Sequence, residues 1–205
     1  MPFLGAAYRG RAGAVQNGTV SNPPSRGVTR LGVCFVCTGN ICRSPMAEVV
    51  LAALAAGAPL ADGTCLADHL EITSAGTGGW HEGEPMDPRA RAALERRGYV
   101  DHGHVAKKFD TSWFESTELV VCLDRGHQQT LLSLGRGRAG DDRFDDRLVM
   151  LRGFDPRSGG AVDVPDPYYG DDTDFEACLD QVEAGCRGLV DDLSERVEGR
   201  GTGTV

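Results

Sequence analysis

Cys37, Thr38, Gly39, Asn40, Ile41, Cys42, Arg43, Ser44 and Pro45 follow one another directly after the apolar run Leu31–Val36. A thiol, five residues, a guanidinium, a hydroxyl and a proline in this order can make an anion trap with a nucleophile at its mouth. Pro45 cannot continue a strand but suits the first turn of a helix. At a strand-to-helix turn the backbone N–H groups converge, and the helix dipole adds partial positive charge. A thiolate at Cys37 is stabilised by that field and by Arg43. The planar fork of Arg43 matches two oxygens of a phosphoryl group. Ser44 can donate a hydrogen bond to the sulfur and help it leave later. A covalent route through a cysteinyl-phosphate follows from this set. Gly39 is read as permitting a backbone conformation closed to residues with a Cβ. Asn40 tolerates left-handed geometry and can bond the loop to itself.

Transfer of a phosphoryl group to a thiolate leaves an alkoxide or phenoxide that a general acid should protonate. Asp166 is the candidate. Pro167 disfavours helix at Asp166 and stiffens its loop, and Tyr168 and Tyr169 follow as aromatics on a rigid loop, a common form of binding wall. Asp-Pro alone is a frequent turn opener; beside a Cys–loop–Arg trap it reads as the proton donor, with Asp163 as runner-up. Ser74-Ala-Gly-Thr-Gly-Gly-Trp-His81 follows a second apolar segment. Trp80 is read there as a further pocket wall, and His81 as a surface residue. Asp124 is read as supporting the loop.

The segment 37–45 closely resembles the signature of the low-molecular-weight protein tyrosine phosphatases, and the resemblance runs from about Leu31 to Arg196. Pro45-Met-Ala-Glu48, Asp155-Pro-Arg-Ser158 and Asp166-Pro-Tyr-Tyr-Gly170 look most like bacterial, particularly actinobacterial, members. The resemblance implies Cys37 as nucleophile, Arg43 as phosphate ligand, Ser44 as the residue assisting the thiol and Asp166 as general acid. It also implies a substrate site formed by Thr38, Gly39, Asn40, Ile41, Cys42, Trp80, Tyr168 and Tyr169, and supports a reversible disulfide between Cys37 and Cys42, with a plain filler role for Cys42 as the alternative. No cofactor and no metal are implied. The partners implied are phosphotyrosine proteins and a tyrosine kinase that makes them, met by a monomer. Two other activities share the loop. Arsenate reductases of this fold need two further cysteines after the third strand, where this chain has only Cys122. Protein arginine phosphatases resembling this chain carry Thr where it has Ile41.

The elements that must position these groups alternate along the chain. Strands are predicted at Leu31–Val36, Leu70–Ser74, Leu119–Leu123 and Arg147–Leu151. Helices are predicted at Pro45–Ala56, at Asp87–Arg97 stopped by Gly98, at Arg125–Leu134 stopped by Gly135, and at Asp172–Val197. Arg136–Asp142 reads as a charged loop. The alternation implies one α/β domain over residues 30–198, with a parallel sheet between helices on both faces. Ligands bind such sheets at the carboxyl ends of the strands, where Cys37 falls. The resemblance sets the strand number at four. Residues 1–29, rich in Gly, Ala, Asn, Pro and Arg and free of acidic residues, are read as a disordered extension, and 199–205 as a frayed tail.

A net charge of −9 opposes nucleic-acid binding, and no apolar run approaches the length of a membrane span. Seven cysteines cannot all pair internally. That count is read as free thiols in a reducing, cytoplasmic setting; export without a signal peptide would leave no mark in the sequence. Cys34 and Cys37 have the spacing of a zinc or redox pair, but no second pair completes it, and Cys34 reads as a small hydrophobe in a strand.

Overall fold

The computed structural model of the protein describes residues 30–139 and 144–201. Four parallel strands form the sheet: β1 (Leu31–Cys37), β2 (Leu70–Gly76), β3 (Leu119–Cys122) and β4 (Leu148–Met150), in the order β2-β1-β3-β4. β1 is central, pairing with β2 from Leu31↔Leu70 to Cys37↔Gly76 and with β3 from Val33↔Leu119 to Val36↔Cys122. A central strand of a parallel sheet is covered on both faces, so all seven residues of β1 are buried and read as a near-continuous apolar run.

The two-residue period of β1 divides the interior. Leu31, Val33, Phe35 and Cys37 face a large core shared with α1 (Arg43–Ala56), α2 (Pro88–Arg96) and α5 (Asp172–Gly201). Cys34 and Val36 face a smaller one with Phe114, Val120, Cys122, Leu131 and Phe144, built under the short α3 (Trp113–Ser116) and under α4 (Arg125–Ala139). Burial pushes the thiol of Cys34 up to about 12, and that of Cys122 higher still. Both are inert fillers of this second core.

Several boundaries differ from the sequence expectation. α1 begins at Arg43, two residues before Pro45, because the trap itself winds into the first turn. α4 does not stop at Gly135 but runs to Ala139. A Cβ on Gly135 would meet the rings of Phe144 and Phe114 at 3.5 and 3.7 Å, ordinary contact distances, so the packing leaves room for a side chain there and a single glycine does not end the helix. The charged loop expected at Arg136–Asp142 is therefore helical to Ala139, and its remainder lies outside the described residues. α3 was not foreseen, since four residues carry no period. α5 continues through Gly199–Gly201, where the tail was expected to fray; residues 1–29 and 202–205 lie outside the described residues.

Candidate active site

The loop between β1 and α1 is built around Asn40, whose φ of 57° is the one left-handed backbone angle among the described non-glycine residues. This conformation aims the Asn40 N–H at the Cys37 sulfur, 3.3 Å away. It also buries the Asn40 side chain beneath the loop. Its Nδ2 donates to Ser44 Oγ at 2.9 Å and to Ser74 Oγ at 2.8 Å, and its Oδ1 accepts from the Lys107 amide at 2.9 Å. Ser74 passes its own hydrogen to Glu48, and His104 Nε2 donates to the Asn40 carbonyl at 2.7 Å. Ser44 Oγ lies 3.0 Å from the Cys37 sulfur. The sulfur thus receives two hydrogen bonds from groups that are themselves held.

Gly39 does not take a positive φ, so the reason read for it in the sequence does not apply. A Cβ there would come within 2.8 Å of His81 Cδ2, so glycine is required by close approach. The Arg43 side chain is buried, and both of its terminal nitrogens are engaged. Nη1 donates to Asp124 Oδ2 at 2.8 Å and to the Val164 carbonyl at 3.1 Å; Nη2 donates to Asp166 Oδ2 at 2.7 Å and to Thr38 Oγ1 at 3.3 Å. Asp124 is held in turn by the amide of His127, at 2.9 Å. Asp166 is 45 % exposed, against 27 % for Asp124, so it is the freer of the two carboxylates on Arg43.

His127 had no signal in the sequence. Its Nδ1 accepts the Asp124 amide at 3.1 Å, which assigns the ring proton to Nε2, 2.9 Å from Thr38 Oγ1. Burial pushes its pKa down to about 4, with Arg43 acting in the same direction and Asp124 against it. A neutral imidazole therefore donates to Thr38. The Thr38 oxygen accepts from His127 and Arg43, which leaves its own hydrogen to point elsewhere.

Above the sulfur opens a cavity of about 300 Å³ lined by Cys37, Thr38, Gly39, Ile41, Cys42, Arg43, Trp80, His81, Asp166, Tyr168 and Tyr169. The sequence-derived set is thus gathered at one place, except that Asn40 and Ser44 lie beneath the loop and do not line it. Trp80 and Tyr169 stand 76 % and 95 % exposed at the rim. His81, read from the sequence as a surface residue, is part of the wall, its ring centroid 6.1 Å from that of Tyr168 and its Nδ1 on Glu84. Asp163, the runner-up acid, does not line the cavity and pairs with the amide and guanidinium of Arg125. Cys42 is buried in the wall. Burial, reinforced by Asp87, Cys37 and Asp166, raises its thiol well above the ordinary range. All seven cysteines carry free thiols. Among the described residues no group of three or more His, Cys, Asp or Glu side chains is placed to hold a metal ion.

A parallel α/β sheet with a Cys–loop–Arg cradle at the carboxyl end of its central strand defines an anion-binding protein with a sulfur at the floor of its site. The chain belongs to the low molecular weight phosphotyrosine protein phosphatase family, whose model matches residues 32–199. It is 51 % identical over 171 residues to a low molecular weight protein-tyrosine-phosphatase of Streptomyces coelicolor, covering 82 % of this chain and 96 % of that protein. It is 31 % identical over 159 residues to the human low molecular weight phosphotyrosine protein phosphatase, covering 78 % and 93 %. The crystal structure of a protein tyrosine phosphatase from Entamoeba histolytica superposes with a TM-score of 0.71 at 28 % identity, covering 83 % of this chain and 99 % of that one.

Proposed function

We propose that the protein hydrolyses phosphotyrosine monoesters in proteins through a cysteinyl-phosphate on Cys37. The observation that carries this reading is the Cys37 sulfur, bonded by the Asn40 amide and the Ser44 hydroxyl beneath a cavity that also holds Arg43, Asp166 and three aromatic side chains. The phosphoryl oxygens compete with Asp166 for Arg43 Nη2, while Asp124 keeps Nη1 in place. The Cys37 sulfur attacks phosphorus as a thiolate, the bond from phosphorus to the phenolic oxygen breaks, and Asp166, which takes up a proton from solvent once it has left Arg43, gives that proton to the phenolic oxygen. Water then attacks the phosphorus, Asp166 takes up the water's proton, and the thiolate leaves with Ser44 donating to it. Trp80, Tyr168 and Tyr169 form a slot for an aryl ester, and Ile41 in its wall favours that ester over a guanidinium-linked phosphate.

Cys122 is sealed in the second core, which disfavours a thiol relay of the arsenate-reducing kind. The same reading carries phosphotyrosine proteins as substrates, a tyrosine kinase as their source, and a monomer acting in the cytoplasm. Replacing Cys37 by Ser is expected to abolish turnover of an aryl phosphate, and replacing Asp166 by Ala to lower kcat by roughly 10²–10⁴-fold, the usual worth of a general acid. Rates on phosphotyrosine, phosphoserine and phosphoarginine peptides, and arsenate consumption with a thiol donor, check the assignment. Undiminished turnover by the Cys37→Ser variant sinks it.

A further inference from the structure

The loop 163–170 carries the acid and the aromatic wall, yet it has no regular secondary structure of its own. Its first half is tied to the sheet: the Val164 amide donates to the Leu123 carbonyl at 2.8 Å, and Arg152 Nη1 donates to the Asp163 carbonyl at 3.1 Å. Its second half is held from α2. Arg89 Nη2 donates to the Tyr168 carbonyl and Nη1 to the Gly170 carbonyl, both at 3.0 Å. The guanidinium lies over the ring of Phe175, 4.6 Å from its centroid, and 5.9 Å from that of Tyr168. Asp87 fixes the guanidinium from the other side, with Oδ2 accepting from Nη2 at 2.8 Å and Oδ1 from Nε at 3.1 Å. Asp87 is itself 8 % exposed and caps α2 through the Arg89 amide. Its own amide donates to the Ile41 carbonyl, in the middle of the phosphate-binding loop, at 2.8 Å.

One continuous set of hydrogen bonds therefore runs from Ile41 through Asp87 and Arg89 to the carbonyls of Tyr168 and Gly170. We propose that Asp87 and Arg89 form a bracket that positions the proton donor Asp166 and the aromatic wall over Cys37. The inference rests on the function proposed above. The need for such a bracket follows from the geometry of Arg43. When phosphoryl oxygens take Nη2, Asp166 loses its ion pair at the moment it must aim at the leaving oxygen. What then keeps its loop in register is the backbone clamp from Arg89, which a bound ester does not compete for. A planar fork can hold two carbonyls at once, which an ammonium cannot do with the same geometry. Arg89 and Asp87 are positioning residues; neither lines the cavity.

The bracket predicts a signature that depends on the leaving group. A phenoxide of high basicity needs Asp166, whereas a nitrophenoxide leaves with little help. In Arg89→Met, kcat/KM for phenyl phosphate is expected to fall about 30-fold, within the ~10² that a misplacement of about 1 Å can cost. On 4-nitrophenyl phosphate the loss is expected to stay within about threefold, and inhibition by inorganic phosphate within about twofold, since the loop around Cys37 is untouched. Asp87→Asn keeps a capping side chain while weakening the grip on Arg89; it should give the same pattern with smaller losses, and guards against misfolding of the Met variant. In an Asp166→Ala background, Arg89→Met should add no more than the roughly threefold allowed on the nitrophenyl ester, because the proton donor is gone and only the aromatic wall is left to position. Equal losses on both esters, or full additivity with Asp166→Ala, overturn the bracket while leaving the phosphatase reading intact. An Asp166→Ala variant that loses no more on phenyl than on nitrophenyl phosphate overturns both.

Discussion

Asn40 is the residue on which the site is assembled. A left-handed φ costs a residue with a Cβ roughly 1 kcal/mol, and here it is held by three side-chain hydrogen bonds and one to its carbonyl. Asn40→Ala leaves Ser44, Ser74 and the Lys107 amide short of a partner in a buried place. Each such loss costs about 1–3 kcal/mol, so a total destabilisation of about 3–5 kcal/mol is expected. Asn40→Gly removes the backbone strain but not the lost bonds, and should recover only about 1 kcal/mol of that. Urea unfolding of the two variants checks this ordering; a glycine variant as stable as the parent would show that the polar network contributes nothing. The loop residues were legible in the sequence because the thiol, the guanidinium and the hydroxyl lie within nine consecutive positions. Their supports were not, because Ser74, His104 and Lys107 reach Asn40 from 34, 64 and 67 residues away. His127 and Arg89 were missed for the same reason. A histidine at the start of a helix, or an arginine two residues after an aspartate, has no local pattern that says what it will meet.

At the scale of elements, the strands were readable because burial on both faces of β1 leaves an uninterrupted apolar run. Of the two glycines expected to stop a helix, Gly98 follows the end of α2 with a φ of 82°, whereas Gly135 does not stop α4. Gly135 lies inside α4, where a Cβ would make only ordinary contacts with Phe144 and Phe114. Gly185 and Gly188 in α5 are different: there close approach excludes a Cβ. A Cβ on Gly188 would stand 1.9 Å from the Phe154 carbonyl oxygen, and one on Gly185 would stand 2.7 Å from Leu151 Cγ and 2.8 Å from its carbonyl oxygen. The long helix thus lies against the 3₁₀ turn Leu151–Phe154 through two gaps that only glycine leaves. Helix propensity alone would have Gly188→Ala gain about 1 kcal/mol. Backbone collision reverses the sign, and a loss of about 2 kcal/mol or more is expected, in the range of overpacked cores. Gly199→Ala is the internal comparison, since a Cβ there meets nothing within 4 Å. It should gain a few tenths of a kcal/mol. Melting temperatures that rise in both variants would refute the close seating of α5.

The whole molecule carries a net charge of −9, so mild acidification should relieve self-repulsion and favour the fold. His127 acts in the opposite direction. Burial brings its folded-state pKa to about 4, against an ordinary value of 6.5, so between those values the unfolded chain binds more protons than the folded one. Stability from this group is then fully present above about pH 6.5 and is lost as pH falls toward 4, by up to roughly 3 kcal/mol. Asp87, Asp101 and Glu176 are shifted down from 3.8, 3.8 and 4.5; their contributions are likewise present above those values, and the loss on acidification starts later. The two causes thus occupy different windows. The limb between pH 6.5 and 4.5 belongs to a neutral imidazole enclosed by Asp124, Arg43, Asp166 and Asp163, and the limb below it to the carboxylates. Urea midpoints of the parent should fall through the first window. A His127→Gln variant, which has no ring to charge, should hold level or gain slightly there and decline only in the second. Parallel curves for the two proteins from pH 6.5 to 4.5 would mean that His127 titrates in the folded state as it does in the unfolded chain, and that the acid response arises elsewhere.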